Sequence, residues 1–406
     1  MKQIWRGIWR GLRGNLRRGN LRRGVERGMR VLDLYCGMGG LSLGFAIAGA
    51  RCYGLDIDKW AVATYNLNLS KLGSKAEIQD VLFWRPSGDW DLIVGGPPCQ
   101  PFSLANLRRK GKDHPLYPTF PRYFDVVLAL RPQAFLLENV KGLLTRQLKP
   151  ILEEQLKRVA RLYRIRYEVL NAANYGVPQR RERLFVLGIR KDLGIKPTFP
   201  PPTHDKEPQV TLDGRRIDRW VTVREAIGDL LALVPIKLQR PHHSRLRQVN
   251  SWDEPSWCLR RNSDRELLVP LTLPVTDHEL LNNKIYEFEQ ASRVMSADKP
   301  SYTITVKSRT GPLVETHTLK NSSPVCYRRL TIKECLRLQS FPDWWRFPKA
   351  TSPSKKYELV GEAVPPVLAY RLAVLIMRLL GGEPKWPPTR EDFDLPYFER
   401  AFPEIS

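Results

Sequence analysis

Cys99 is the residue of this sequence best placed to act as a nucleophile. It stands in Gly95-Gly96-Pro97-Pro98-Cys99-Gln100-Pro101-Phe102-Ser103, directly after the short apolar run Leu92-Ile93-Val94. The run reads as a buried strand, and the glycines and prolines end it in a tight loop. In an open α/β sheet, ligands gather at the loops that follow strands. A thiol held there is presented to solvent, and its thiolate would attack electrophilic carbon. The alternative is a small Cys packed in a rigid turn. Two further sets of chemistry-bearing residues end strands in the same way. Ala134-Phe135-Leu136-Leu137 delivers Glu138-Asn139-Val140 to the same sheet edge as Cys99. Gln179-Arg180-Arg181-Glu182-Arg183 leads into the strand Leu184–Ile189. A charge run is commonly a solvated face, but strand alternation would aim Arg181 and Arg183 to one side.

The elements that must position these groups begin at Met29. Arg30 to Tyr35 reads as a strand, Cys36-Gly37-Met38-Gly39-Gly40 as a glycine turn, and Leu41 to Ala48 as a helix. This is the opening unit of a doubly wound nucleotide-binding sheet: glycines admit a close ligand, and the helix N-terminus favours negative charge. Cys52 to Leu55 is the next strand, ending at Asp56-Ile57-Asp58, and a third ends at Asp80. Each acid alone could be a helix cap. Three at successive strand ends, beside a glycine turn, point to a pocket for an adenosine-type ligand. Helices are expected at 123–130, 149–162, 332–338 and 367–380, the third opened by a Thr331/Glu334 capping box.

The 406 residues carry a formal charge of +24, an excess that points to a polyanionic partner, nucleic acid first. Residues 1–28 repeat Trp-Arg-Gly and Gly-Asn-Leu-Arg-Arg and contribute +8 of that charge. They read either as a disordered nucleic-acid-binding arm or as translated sequence upstream of a start at Met29. The six cysteines are scattered without a Cys-x-x-Cys pair, which argues against a zinc site or disulfide framework and for a reducing compartment. No metal site is expected. No apolar run reads as a membrane span, so a soluble cytoplasmic protein is expected. A proline-rich linker at 196–202 introduces a polar, basic, irregular stretch with short β-like runs, read as a second domain. The tail from Gly381 reads as a surface extension.

With these residues laid out, the chain resembles the DNA (cytosine-5) methyltransferases from Arg30 to about Leu380. The blocks that carry the resemblance stand in the family's order: DLYCGMGG (33–40), GGPPCQPFS (95–103), ENV (138–140), QRRER (179–183), RRLTIKECLRLQSFPD (328–343) and GEAVPP (361–366). The resemblance implies a doubly wound Rossmann-like α/β methyltransferase sheet with an inserted smaller, irregular β-rich target-recognition domain. It divides the chain into an arm (1–28), a first catalytic part (29–190), the insert (191–327), a returning catalytic part (328–385) and an extension (386–406).

The resemblance also implies a prokaryotic enzyme that flips a cytosine out of double-stranded DNA and methylates its carbon 5 from S-adenosyl-L-methionine. Cys99 would attack carbon 6, Glu138 would serve ring nitrogen 3 and the exocyclic amine, and Arg183 would steady the base. Arg181 would be a backbone or loop anchor. Tyr35, Gly37, Gly39, Asp56, Ile57, Asp80, Pro97 and Glu362 would form the cofactor pocket. At Glu362 the chain departs from the family's usual Asn. A monomer is expected, and many microbial members of the family pair with a restriction endonuclease that cuts the same site when it is unmodified. Two other readings are a tRNA cytosine-5 methyltransferase, against which the size of the insert speaks, and a degenerate DNA-binding homologue, against which intact Cys99, Glu138 and Arg183 speak.

Overall fold

The computed structural model describes residues 28–103, 111–231 and 330–405, and between them only short strands within 237–327. The repeats of the N-terminal arm, residues 104–110 and most of the expected recognition insert lie outside the described residues. Eight strands are used below: β1 (Arg30–Leu34), β2 (Arg51–Asp56), β3 (Lys75–Ile78), β4 (Leu92–Gly95), β5 (Ala134–Val140), β6 (Tyr163–Asn171), β7 (Gln179–Arg180) and β8 (Glu182–Arg190). Seven of them form one sheet in the order β3-β2-β1-β4-β5-β8-β6. The five from β3 to β5 run parallel, whereas β8 is antiparallel to both β5 and β6. The short connection from β6 to β8 explains the reversal. It is too short for the crossover that a parallel pair requires.

Strand alternation sorts the apolar side chains into two cores. Val31, Leu92, Val94, Ala134, Leu136, Phe185 and Leu187 enter one, while Leu32, Leu34, Ile93, Phe135, Leu137, Leu184 and Val186 enter the other. Burial on both faces is why these strands read as unbroken apolar runs. The first core is covered by α1 (Gly40–Ile47), α2 (Lys59–Leu69) and the returning C-terminal helices; the second by α3 (Thr119–Leu130) and α4 (Lys149–Val159). After them come α5 (Val223–Leu231), α6 (Ile332–Leu338), α7 (Pro353–Glu362) and α8 (Pro366–Leu379). Thr331 caps α6 in the reciprocal arrangement with Glu334. The last long helix, α8, lies against α1, so closely that a Cβ on Gly44 would come 2.3 Å from the Tyr370 nitrogen. The helical layer on that face of the sheet therefore joins chain segments more than 300 residues apart in sequence.

Two expectations change. The stretch assigned to the insert from residue 191 does not leave the core at once: Ile195, Phe199, Val221, Val223, Ala226 and Ile227 are buried with β1 and α8. The tail is not a surface extension either. Phe393, Leu395, Tyr397, Phe398 and Phe402 are buried in the same core, and Trp386 stacks on Tyr370 at 5.9 Å. Buried Arg371 of α8 ties the tail down, donating to Tyr175 O at 3.0 Å and Ala401 O at 2.6 Å and pairing with Glu404. Aromatics spaced through a polar, proline-rich tail conceal this packing from a reading by periodicity. Pro353–Leu379 is long and apolar enough to cross a membrane by composition, but it is two helices, α7 and α8, mostly buried within the protein.

Alternation also turns one acid of β1 inward. Asp33 is 1% exposed and accepts from Ser42 Oγ of α1 at 2.6 Å. Desolvation outweighs that hydrogen bond and pushes its carboxyl up to about 7. The unfolded chain therefore gives up this proton near pH 4 and the folded chain only near 7, so stability falls across that interval. The Asp33→Asn variant should be the more stable protein at pH 8, by on the order of 2–4 kcal/mol. The two should converge as the pH falls to about 4. Denaturation midpoints across pH check this, and a variant weaker than wild type at pH 8 would refute it.

Candidate active site

The Cys99 loop is held from both sides. Asn139 of β5 donates its side-chain amide to Pro97 O at 3.0 Å, and Phe102 is fully buried edge-on to Phe120 at 4.9 Å. Phe102 N also closes a turn onto Cys99 O at 3.0 Å. The loop departs where a Cβ on Gly95 would lie 2.4 Å from Leu34 O, so only glycine lets β4 lie this close to β1. Between its anchors Cys99 stays open to solvent on one side.

Glu138 and Arg183 meet through sheet register. Val140 pairs with Arg183 and Glu138 with Phe185 across the antiparallel β5–β8 ladder, so the two charged residues are diagonal neighbours on one face. Arg183 Nε lies 3.1 Å from Glu138 Oε1. The other carboxylate oxygen faces the Cys99 loop: a Cβ on Gly96 would lie 2.9 Å from Glu138 Oε2. Glu138 is 9% exposed, and desolvation pushes its carboxyl above the ordinary range even though Arg183 and Arg181 pull it down. Burial wins because water is lost from the whole carboxylate while Arg183 meets one edge of it. Desolvation likewise pushes the Cys99 thiol up; Arg183 lowers it, Glu362 and Glu138 raise it, and Arg181 lowers it.

Arg181 is 2% exposed and reaches to the returning chain. It donates to Gly361 O at 3.0 Å and to Glu362 O at 3.4 Å. A second tether runs beside it: Gln179 donates to Gln339 Oε1 at 2.6 Å, and Gln339 donates to Ala363 O. The 361–366 turn in turn presses on the start of α1, where a Cβ on Gly40 would lie 2.2 Å from Val364 O.

The expected cofactor residues cluster at the carboxyl ends of β1, β2 and β3. Tyr35, Gly37 and Gly39 all have positive φ, at 60°, 53° and 94°. The non-glycine Tyr35 is held there by donating its hydroxyl to Thr119 O at 2.9 Å. Gly37 N donates to Asp56 Oδ2 at 2.8 Å, and no atom lies within 4 Å of a Cβ built on Gly37. The turn is thus open above Gly37, as a ligand approaching the backbone needs. Asp56 is desolvated and its carboxyl raised, while Ile57 beside it is 68% exposed and offers an apolar face. Asp58 is a helix cap, accepting from Trp60 N and Ala61 N of α2. Asp80 accepts from Leu82 N at 2.9 Å, and Arg122 braces the following turn through Val81 O at 3.0 Å. Pro97, buried, joins this end of the site to the Cys99 loop. Among the described residues, no cluster of His, Cys, Asp or Glu could hold a metal ion.

The family model for C-5 cytosine-specific DNA methylase matches residues 29–378. The chain belongs to that family. The methylase is 33% identical to the Type II methyltransferase M.MthTI of Methanothermobacter thermautotrophicus, over 87% of this chain and 98% of that one. It is 30% identical to the Type II methyltransferase M.AplI of Arthrospira platensis, over 92% and 94%. Its fold resembles a DNA modification methyltransferase encoded within an Escherichia coli prophage, with TM-score 0.56 and 22% identity over 87% of this chain and all of that one. The S. pombe Dnmt2 methyltransferase, with TM-score 0.54 and 18% identity, covers 87% of this chain with 99% of its own.

The methylase is a DNA cytosine-5 methyltransferase that uses S-adenosylmethionine as methyl donor. The open turn above Gly37, the desolvated Asp56 and the exposed Ile57 fit a donor with an amino-acid tail, a ribose and an aromatic base. The motif pattern assigns Asn139, Thr119, Arg122 and Gln339 no part in the site. Asn139 stood inside a quoted motif, and alternation along β5 would have turned it to the face opposite Glu138. The others act through backbone carbonyls far away in sequence, which leave no local signal.

Proposed function

We propose that the methylase flips a target cytosine from duplex DNA and methylates it through a covalent adduct with Cys99. The observation that carries this reading is the Glu138–Arg183 pair set beside an anchored but accessible Cys99. A cytosine inside a duplex is out of reach of such a loop, so the base must leave the stack. The thiolate of Cys99 adds to carbon 6, and the electron pair displaced from the 5,6 double bond makes carbon 5 nucleophilic. Glu138, whose carboxyl burial raises above the ordinary range, donates to ring nitrogen 3 as charge builds there. Its other lone pairs accept from the exocyclic amine, which selects cytosine over uracil. Arg183 holds Glu138 in place and contacts the base at its carbonyl oxygen. Arg181 fixes the 361–366 turn against the site. S-adenosylmethionine supplies the methyl group. Loss of the carbon 5 proton then lets the thiolate leave.

Tyr35, Gly37 and Gly39 would take the methionine portion, Asp56 the ribose and Ile57 the adenine face. Asp80 would meet the adenine amino group, while Pro97 and Glu362 would line the site. The recognition insert is proposed for the chain after α5, up to about residue 327, with the catalytic part extending from 29 to 231 and resuming near 328. Its loops would read base edges in the major groove. The basic arm 1–28 would add sequence-independent contacts to phosphate. The names of the Type II relatives support a restriction-modification role. A cognate endonuclease would cut the unmethylated site, and the methylase would act as a cytoplasmic monomer.

Labelled S-adenosylmethionine offered with separate pools of duplex DNA and tRNA tests this reading. Label should enter DNA, and base-resolution mapping should place 5-methylcytosine in one recurring short sequence. Label confined to tRNA would overturn the substrate, and label in neither would overturn the activity.

A further inference from the structure

A lysine of the returning chain is joined to the cofactor end of the site. Lys355, in the first turn of α7, forms ion pairs with Asp58 Oδ2 and, at 2.6 Å, with Glu358 Oε1. A cation in the first turn of a helix meets the positive end of the macrodipole, so local structure does not favour lysine there. The compensation comes from Asp58, far earlier in the chain. Its Oδ1 accepts from Trp60 N at 2.8 Å and Ala61 N at 3.2 Å at the start of α2, and its Oδ2 takes Lys355. The backbone N–H of Asp58 donates to Asp56 Oδ1 at 2.9 Å, and Gly37 N donates to Asp56 Oδ2 at 2.8 Å. The connection thus runs without a gap from α7 to the acid that ends β2 and on to the open glycine turn. The Lys355 and Asp58 side chains are 20% and 25% exposed, so the pair is largely withdrawn from water. Desolvation opposes charge on Asp58, but Lys355 and the α2 amides outweigh it and hold the carboxyl below its ordinary range. The far end of α2 has its own tie to the returning chain: buried Asn68 donates to Arg346 O at 2.7 Å and accepts from Arg346 N at 2.8 Å.

We propose that Lys355 is a positioning residue for S-adenosylmethionine, acting through Asp58 on the Asp56 carboxylate that receives the ribose. This rests on the assignment of Asp56 to the ribose. Asp56 and Asp58 are acids two residues apart, and Lys355 offsets their mutual repulsion. With Asp58 held from α7, one N–H on each oxygen fixes the Asp56 carboxylate, and the remaining lone pairs are free for ribose hydroxyls. Without the lysine, Asp58 still caps α2 but loses the partner that sets its place against α7. The Asn68–Arg346 tie keeps α2 docked, so the loss falls on the cofactor end and not on the fold.

The test needs no turnover. Equilibrium dialysis of labelled S-adenosylmethionine against the full chain gives the dissociation constant for wild type, Lys355→Met, Lys355→Arg, Asp58→Asn and the Lys355→Met/Asp58→Asn double variant. Asparagine keeps the helix cap and removes only the charge. Lys355→Met should weaken cofactor binding roughly three- to tenfold, the scale of a partly desolvated ion pair. Lys355→Arg, which keeps the charge, should restore most of it. The double variant should bind no more weakly than the worse single variant, because both remove the same link. Wild-type binding by Lys355→Met overturns the proposal, and so do additive losses in the double variant, since Lys355 would then act by another route. Loss of duplex DNA binding in Lys355→Met, read by gel shift, also overturns it, because the returning chain as a whole would have moved. Failure of the ribose assignment shows separately, as cofactor binding by Asp56→Ala equal to that of wild type.

Discussion

Cys99→Ala should lose methyl transfer by roughly four orders of magnitude or more, the scale on which removing a nucleophile acts when no other group can replace it. Carbon 5 of cytosine is a poor nucleophile until carbon 6 carries a substituent, so positioning by the rest of the site cannot compensate. The loop itself should survive the change. Its anchors are Asn139 on Pro97 and buried Phe102, neither of which involves the thiol. Duplex DNA binding and cofactor binding should therefore stay within a fewfold of wild type. Single-turnover transfer of labelled methyl, measured beside a gel-shift titration, separates the two effects. Turnover like that of wild type would overturn the covalent reading. Loss of binding together with loss of transfer would show instead that the loop had collapsed.

Glu138→Gln should lower the transfer rate by about a hundred- to ten-thousandfold, the usual contribution of a positioned proton donor. The substitution preserves shape and can keep a hydrogen bond to the base, but it cannot deliver a proton to ring nitrogen 3. Arg183 would also lose the charged partner that now sits 3.1 Å away, and its pull on the Cys99 thiol would then be less balanced. The pH dependence makes the assignment specific. In wild type the raised carboxyl of Glu138 supplies its proton at low pH and loses it as the pH climbs, while ionisation of Cys99 rises with pH. The wild-type rate should thus pass through a maximum, and the Glu138→Gln rate should keep only the ascending limb from Cys99. A variant that retains the descending limb would place the proton donor elsewhere.

Much of this site is written in short stretches of sequence. Gly95-Gly96-Pro97-Pro98 can hardly form anything except a strand end and a rigid loop, so the presentation of Cys99 is a local property. The glycine turn is local too, since positive φ at residues 37 and 39 is accessible there because no side chain opposes it. The apolar runs that precede Glu138 and follow Arg183 put both groups on strands, and their unbroken character announces a sheet buried on both faces.

The tertiary structure decided what depends on contacts between distant segments. No local pattern says that Arg181 donates to the backbone carbonyls of Gly361 and Glu362, because a guanidinium chooses among buried acceptors only once the chain is folded. Nor does the sequence show that Phe393, Tyr397 and Phe402 belong to the core. Phe393 and Tyr397 stand four apart but Pro396 breaks any helix between them, and their burial comes from α8 and Arg371. The ionisation of Asp33, Cys99 and Glu138 was likewise out of reach, since each is set by lost hydration and by charges brought from other elements. The sequence by itself determined which groups stand on the loop and strands of the proposed site. Folding determined which protons they hold, because that depends on burial, and burial exists only in three dimensions.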